Sequence, residues 1–142
     1  MAQHISGAYG KQKFLLEAWI QADDTRLNMS FFNGLGTAVG DLVFRETEIS
    51  FDSVFFPSSF KPEYIVADFQ FCFYRAEALS PALEKCGLSL LVEHRGAQAG
   101  EKTELRIISD AQKPVIEIEK TQAFVRYTNY MRGYTYTLEG EF

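Results

Sequence analysis

Side chains that ligate metals or act as nucleophiles are scarce in this chain: 142 residues hold two histidines, His4 and His94, and two cysteines, Cys72 and Cys86. That inventory has no zinc-ligand spacing, and we expect no cofactor and no metal. Both cysteines read as small hydrophobes in a helical region. A disulfide between them would need an oxidising compartment and a compatible Cα separation. No apolar run approaches the roughly 18 residues of a membrane-spanning helix. Residues 1–12 lack the apolar core of a signal peptide. They are expected as a flexible N-terminal tail or a trimmed anchor linker, in a protein that is cytoplasmic or has lost an export segment. Positive charge is also short, with 14 Lys and Arg against 19 Asp and Glu and a net charge of −5. A nucleic-acid partner is excluded on that ground.

Catalytic signatures are missing too. There is no G-x-S-x-G elbow, no P-loop and no G-x-G-x-x-G. His4 falls in the presumed tail and His94 at a strand end. Glu117 and Glu119 share the solvated face of a strand, and Asp68 reads as a satisfied structural carboxylate. No set of positioned acid, base and nucleophile emerges, so no enzyme is expected.

Aromatic residues are what the chain has in excess: 13 Phe, 7 Tyr and one Trp, with Phe outnumbering the 12 Leu. Their placement alternates. Lys13–Ala22 puts Phe14, Leu16, Ala18 and Ile20 on one face and Leu15, Glu17, Trp19 and Gln21 on the other. The same period of two runs through Leu27–Phe31, Ala38–Phe44 and Ile49–Phe55, predicting four sequential antiparallel strands. Then the pattern changes. Pro57 and Ser58-Ser59 end the sheet run, and Pro62 and Glu63 suit a first helical turn. Ile65, Val66, Phe69, Cys72 and Phe73 follow as a helical stripe. Tyr64, Ala67, Phe71 and Tyr74 extend apolar character around that helix, which should be buried on two sides. A second helix is expected from Ser80, with Pro81 behind it, to just before Gly87. About five more strands follow, with a Gly-rich loop over Gly96–Lys102, a turn at Asp110–Lys113 and a last hairpin turn at Arg132-Gly133. The fold class is α+β: a strongly curved antiparallel sheet of about 9–11 strands, a half-open β-barrel, with two or three helices over its concave face. Residues 13–142 form a single domain.

Asn33-Gly34-Leu35-Gly36-Thr37 stands apart. Turns favour Gly, Asn, Asp, Ser and Pro for backbone reasons, and a Leu there either folds back onto the core or is held out to meet something apolar. Burial of one Leu contributes roughly 1.5–3 kcal/mol. Both readings are open from local sequence.

These pieces resemble the LolA/LolB lipoprotein-carrier superfamily of Gram-negative bacteria, and more closely an uncharacterised family of short LolB-related lipoproteins. The resemblance lies in the Asn33–Thr37 turn, the Asp41–Phe44 and Ile49–Phe51 hairpin, the Val66–Gln70 helix with Ala78-Leu79, and Asp110–Ile118. It spans roughly residues 13–140. It implies a half-open barrel with a helical lid, an acyl-binding cavity, and a protruding loop Leu, here Leu35, that contacts the outer membrane. It further implies a periplasmic, outer-membrane lipoprotein, with a LolA-like carrier as a possible partner. Members of the closer family occur beside aryl-polyene pigment genes, so the implied cargo extends to a polyene lipid. Gly34 stands where LolB has Pro, and the lipidated Cys is absent from this sequence.

The leading expectation is therefore a non-catalytic carrier or receptor of a lipid or acylated cargo. Phe14, Trp19, Met29, Phe31, Phe51, Ile65, Phe69 and Phe73 are the candidate cavity residues, and Leu35 is the membrane-contacting tip. The alternative is a structural or interaction domain with a filled core, in which Leu35 meets a protein partner in an envelope assembly.

Overall fold

The computed structural model describes residues 1–58, 60–96 and 102–140. In chain order it has β1 (Ala2–Tyr9), β2 (Gln12–Ala22), β3 (Arg26–Phe32), β4 (Ala38–Arg45) and β5 (Glu48–Ser53). Two helices follow, α1 (Pro62–Phe73) and α2 (Ala76–Lys85). The chain ends in β6 (Leu88–Gly96), β7 (Lys102–Asp110), β8 (Lys113–Lys120), β9 (Phe124–Asn129) and β10 (Tyr134–Gly140). All ten strands lie in one open sheet, in the order β5-β4-β3-β2-β1-β10-β9-β8-β7-β6. Every neighbouring pair is antiparallel.

That order explains where the helices go. Each half of the chain is a meander, and the two meanders join where β1 pairs with β10. The chain leaves the sheet at one edge, β5, and re-enters at the opposite edge, β6. The α1–α2 segment must therefore cross a whole face of the sheet. Val66 and Phe69 of α1 pack with Leu16, Ile20, Met29 and Leu42 of the first meander. Cys72 of the same helix packs with Ile108, Ile116, Ile118 and Tyr127 of the second, together with Leu79 and Leu83 of α2. One helix thus draws the inner faces of both halves around itself. No residue from Tyr64 to Phe73 is fully exposed, as expected for a helix that is apolar over most of its circumference.

Strand alternation produces this core. In β2, Leu16, Ala18 and Ile20 are buried while Leu15, Glu17 and Trp19 face solvent. Helix α1 starts with Pro62 in its first turn and Glu63 beside it, as the sequence suggests. At its other end, buried Arg106 donates to the carbonyls of Phe71 and Tyr74 at 2.8 and 2.7 Å. That satisfies acceptors which a helix C-terminus leaves open. No helix among the described residues is long and apolar enough to cross a membrane.

Several expectations need correction. Residues 1–12 are not a tail: Ala2–Tyr9 forms a strand paired on both sides, to β2 and to β10. Only Ile5 and Tyr9 among its residues are large and apolar, so the period-2 signal was too weak to read. His4 consequently sits on a strand, 3.6 Å from Glu17. The second helix starts one turn earlier than Ser80, at Ala76, and Pro81 lies inside it. The last turn spans Tyr130–Gly133 and so begins two residues before the expected Arg132-Gly133. Cys72 is buried and Cys86 exposed, both as free thiols. Ser59 and most of the expected Gly96–Lys102 loop lie outside the described residues.

Candidate ligand-binding cavity

Between α1 and the sheet lies a cavity of about 390 Å³. Its floor comes from alternate residues of adjacent strands, Leu16 and Ile20 on β2 with Met29 and Phe31 on β3. Ile5 on β1 and Tyr134, Tyr136 and Leu138 on β10 continue it across the junction of the two meanders. Ile65, Phe69 and Phe73 of α1 form the roof. From Lys13 to Ile20 the lining follows β2 for seven residue steps, about 23 Å at roughly 3.3 Å per residue.

Space for one large ring is made by a missing side chain. Gly7 of β1 pairs with Phe14 of β2, and a Cβ at Gly7 would lie 2.6 Å from the tip of the Phe14 ring. Glycine at that position leaves Phe14 room to stand in the wall.

The opening is at one end of the sheet. Tyr9 pairs with both Gln12 and Tyr134, which brings the β1–β2 and β9–β10 turns together. Gly10 N–H donates to the Gly133 carbonyl at 3.4 Å. The β3–β4 turn and the segment from β5 to α1 lie at the same end, since the β4 start and β5 end are paired, Gly40 with Ser53. Phe55, Phe56, Pro57 and Phe60 of that segment line the mouth. Phe56 packs against Phe31 at 5.4 Å and Phe60 at 5.4 Å, and Phe60 meets Tyr134 at 5.2 Å. This aromatic series bridges the roof to both meanders.

Leu35 stands at this end with 92% of its surface exposed. Its turn is held by Asn33, whose Oδ1 accepts from Leu35 N–H and Thr37 N–H at 3.0 Å each. The side chain is therefore presented outward by an ordered turn and does not fold back onto the core. Val54 and Met131 are also exposed at this end.

One carboxyl group breaks the apolar lining. Asp68 of α1 is buried and accepts hydrogen bonds from the hydroxyls of Tyr127 and Tyr134. Burial raises its pKa from the ordinary value to about 7, partly offset by the two phenol hydrogen bonds. Tyr127, Tyr134 and Tyr136 stack in near-parallel planes beside it. The Cys72 thiol borders the same cavity, and burial pushes its pKa up; His94 is exposed on β6. Glu117 accepts from Tyr130 on the outer face and Glu119 pairs with Arg126. No cluster suited to a metal ion occurs among the described residues.

Of the residues predicted for a cavity, Phe14, Met29, Phe31, Ile65, Phe69 and Phe73 come together in its wall. Trp19 does not. It shares the parity of Leu15 and Glu17 and lies half-exposed on the opposite face of β2. Phe51 also stays outside the wall, because Phe56 packs in front of it with ring centres 5.9 Å apart. Sequence reasoning missed Gln3, Ile5 and Tyr9, which belong to the unrecognised β1. It also missed the mouth aromatics: Phe55 is expected in the fourth strand, whereas β5 ends at Ser53, and Phe56 and Phe60 fall between the expected sheet run and the helix. A second, more polar hollow of about 420 Å³ lies at the far end, near Asp23, Asp24 and Glu46, and Phe69 borders both spaces.

A family model described as "Protein of unknown function (DUF3261)" matches residues 1–140. No curated protein matches the chain.

Proposed function

Since the chain belongs to this family of unknown function, we propose from its own architecture that it is a non-catalytic binding protein for a lipid or acylated cargo. The observation that carries this reading is the 390 Å³ apolar cavity between α1 and the sheet. A well-packed interior leaves few voids larger than a water molecule, and concave, mostly apolar hollows are where small apolar ligands bind. A hydrocarbon tail moved from water into such a space gains about 0.8 kcal/mol per CH₂, so tight binding needs no charged anchor inside. The LolB-like reading adds an outer-membrane setting. Leu35 there enters the acyl boundary while the open, half-barrel-like sheet receives or releases cargo, in exchange with a membrane or a LolA-like carrier. The exposed Leu35, presented by a rigid turn next to the mouth, supports that division of labour.

Titration with a fluorescent fatty acid tests the reading. Saturable binding is expected, lost on Phe69→Asp and kept on Leu35→Glu. Transfer of the bound probe to vesicles should then slow in Leu35→Glu. Purified protein that binds no probe at all would refute the proposal.

A further inference from the structure

The mouth carries a charge pattern opposite to that of the whole molecule. In a chain of net charge −5, Lys11, Lys13, Lys61 and Arg132 collect on one rim. Lys13 borders the cavity itself. Lys11 sits in the turn whose Gly10 donates to Gly133, next to Arg132. The Arg132 guanidinium lies 3.5 Å over the Tyr64 ring, in the first turn of α1, beside Lys61. All four side chains are exposed, and none forms an ion pair among the described residues. Among the described residues of the rim, 9–14, 54–58, 60–64 and 129–134, there is one carboxylate, Glu63. Acidic groups lie deeper: Asp68 in the cavity wall, and Asp23, Asp24 and Glu46 around the far hollow.

This polarity orients a ligand. An ionised head cannot follow its tail into a wall of Phe and Ile without losing its hydration. Inside, an anionic head meets an apolar wall whose one carboxyl group, Asp68, is already occupied by two phenols; at the rim it meets cations that form no ion pair among the described residues. Resting on the cavity as an amphiphile site, we infer that the ligand is an acidic amphiphile whose carboxylate or phosphate head is held at the rim by Lys11, Lys13 and Lys61, with Arg132 adjoining. Its tail runs along β2 toward Phe69.

The test is displacement of the neutral dye Nile red by three compounds of equal tail length: palmitic acid, hexadecanol and palmitoyl lysophosphatidic acid. Wild-type protein and the triple variant Lys11→Gln/Lys13→Gln/Lys61→Gln are compared at low and high salt. These lysines are exposed, and an unchanged thermal unfolding curve verifies the fold of the variant. Wild type is expected to favour an acidic compound about 10-fold over hexadecanol. The preference should shrink at high salt and vanish in the triple variant, which loses affinity for the acidic compounds more than for hexadecanol. Preference for both acids assigns the rim to either head group, and preference for the lysophosphatidic acid alone assigns it to phosphate. Equal displacement by all three compounds overturns this inference and leaves the cavity reading standing. So does equal displacement combined with flotation of the protein on anionic but not neutral vesicles, which would assign the rim to a membrane surface. Absence of any displacement removes the cavity reading together with this one.

Discussion

The hydroxyl of Tyr134 donates to Oδ2 of Asp68 at 2.5 Å, across 66 positions of sequence. It ties the middle of α1 to the strand that joins the two halves of the sheet. Tyr127 donates to the other carboxyl oxygen. Both phenols belong to one stacked series, with ring centres 5.9 Å apart. A carboxyl group satisfied in this way fixes the roof of the cavity over its floor, at a place where leaving it without partners would be costly.

The state of that carboxyl makes stability depend on pH. Burial raises the Asp68 pKa from 3.8 to about 7. Between those values the folded protein holds a proton that the unfolded chain has released. The contribution is therefore fully present below pH 3.8 and is lost as pH rises through 7. A shift of this size corresponds to on the order of 4 kcal/mol. Urea midpoints of the wild type should fall from pH 5 to pH 8, relative to an Asp68→Asn variant, whose amide does not titrate. Parallel pH profiles for the two proteins would remove Asp68 as the source.

Gly7 sets the width of the mouth. An added Cβ would meet the Thr135 carbonyl oxygen at 2.5 Å as well as the Phe14 ring. The ring can rotate away, but the strand backbone cannot yield cheaply. Gly7→Ala is expected to destabilise by about 1–3 kcal/mol, measured by chemical denaturation. It should also weaken fatty-acid binding by displacing Phe14. Unchanged values on both counts would show that β1 shifts at no cost.

Arg106 is 5% exposed and holds Glu104 as well as the last carbonyls of α1. Arg106→Leu leaves those acceptors unpaired, and a loss of about 3–5 kcal/mol is expected. Arg106→Lys should retain part of it, because an ammonium reaches fewer acceptors in fixed geometry. Amide exchange should accelerate first in the final turn of α1. Equal stability of Arg106→Leu and wild type would refute the role.

The β7–β8 turn places two residues with side chains at positive φ, Ala111 at 48° and Gln112 at 71°. Two-residue hairpins of this kind favour Asn-Gly, and left-handed backbone costs an ordinary residue roughly 1–2 kcal/mol. The double change Ala111→Asn/Gln112→Gly should raise the unfolding free energy by about 1 kcal/mol or more. It lies away from the cavity wall, so ligand affinity should stay as it was.

Much of the architecture was readable from residue order. β2 through β5 follow from a clean alternation in which Leu16, Ala18 and Ile20 oppose Leu15, Glu17 and Trp19, and α1 follows from Pro62 and the stripe ending at Phe73. β1 was not readable, because its inward positions include Gln3 and Gly7. Gly7 is small for the sake of Phe14 on the neighbouring strand, a reason that local pattern cannot express. Trp19 shows the reverse error: its aromatic character suggested a cavity, while its parity already placed it outside. The start of α2 was misplaced because Ser80-Pro81 imitates a helix start within a helix.

The alternating strands, the apolar circumference of α1 and the Leu at the tip of the Asn33–Thr37 turn are written in residue order, since each follows from short-range periodicity or backbone preference. That β1 meets β10, that α1 crosses the face between opposite edges of the sheet, and that space remains beneath it emerge from packing in three dimensions. Those features depend on contacts between residues far apart in the chain, such as Asp68 with Tyr134. No local pattern records the distance left between two surfaces once they have packed.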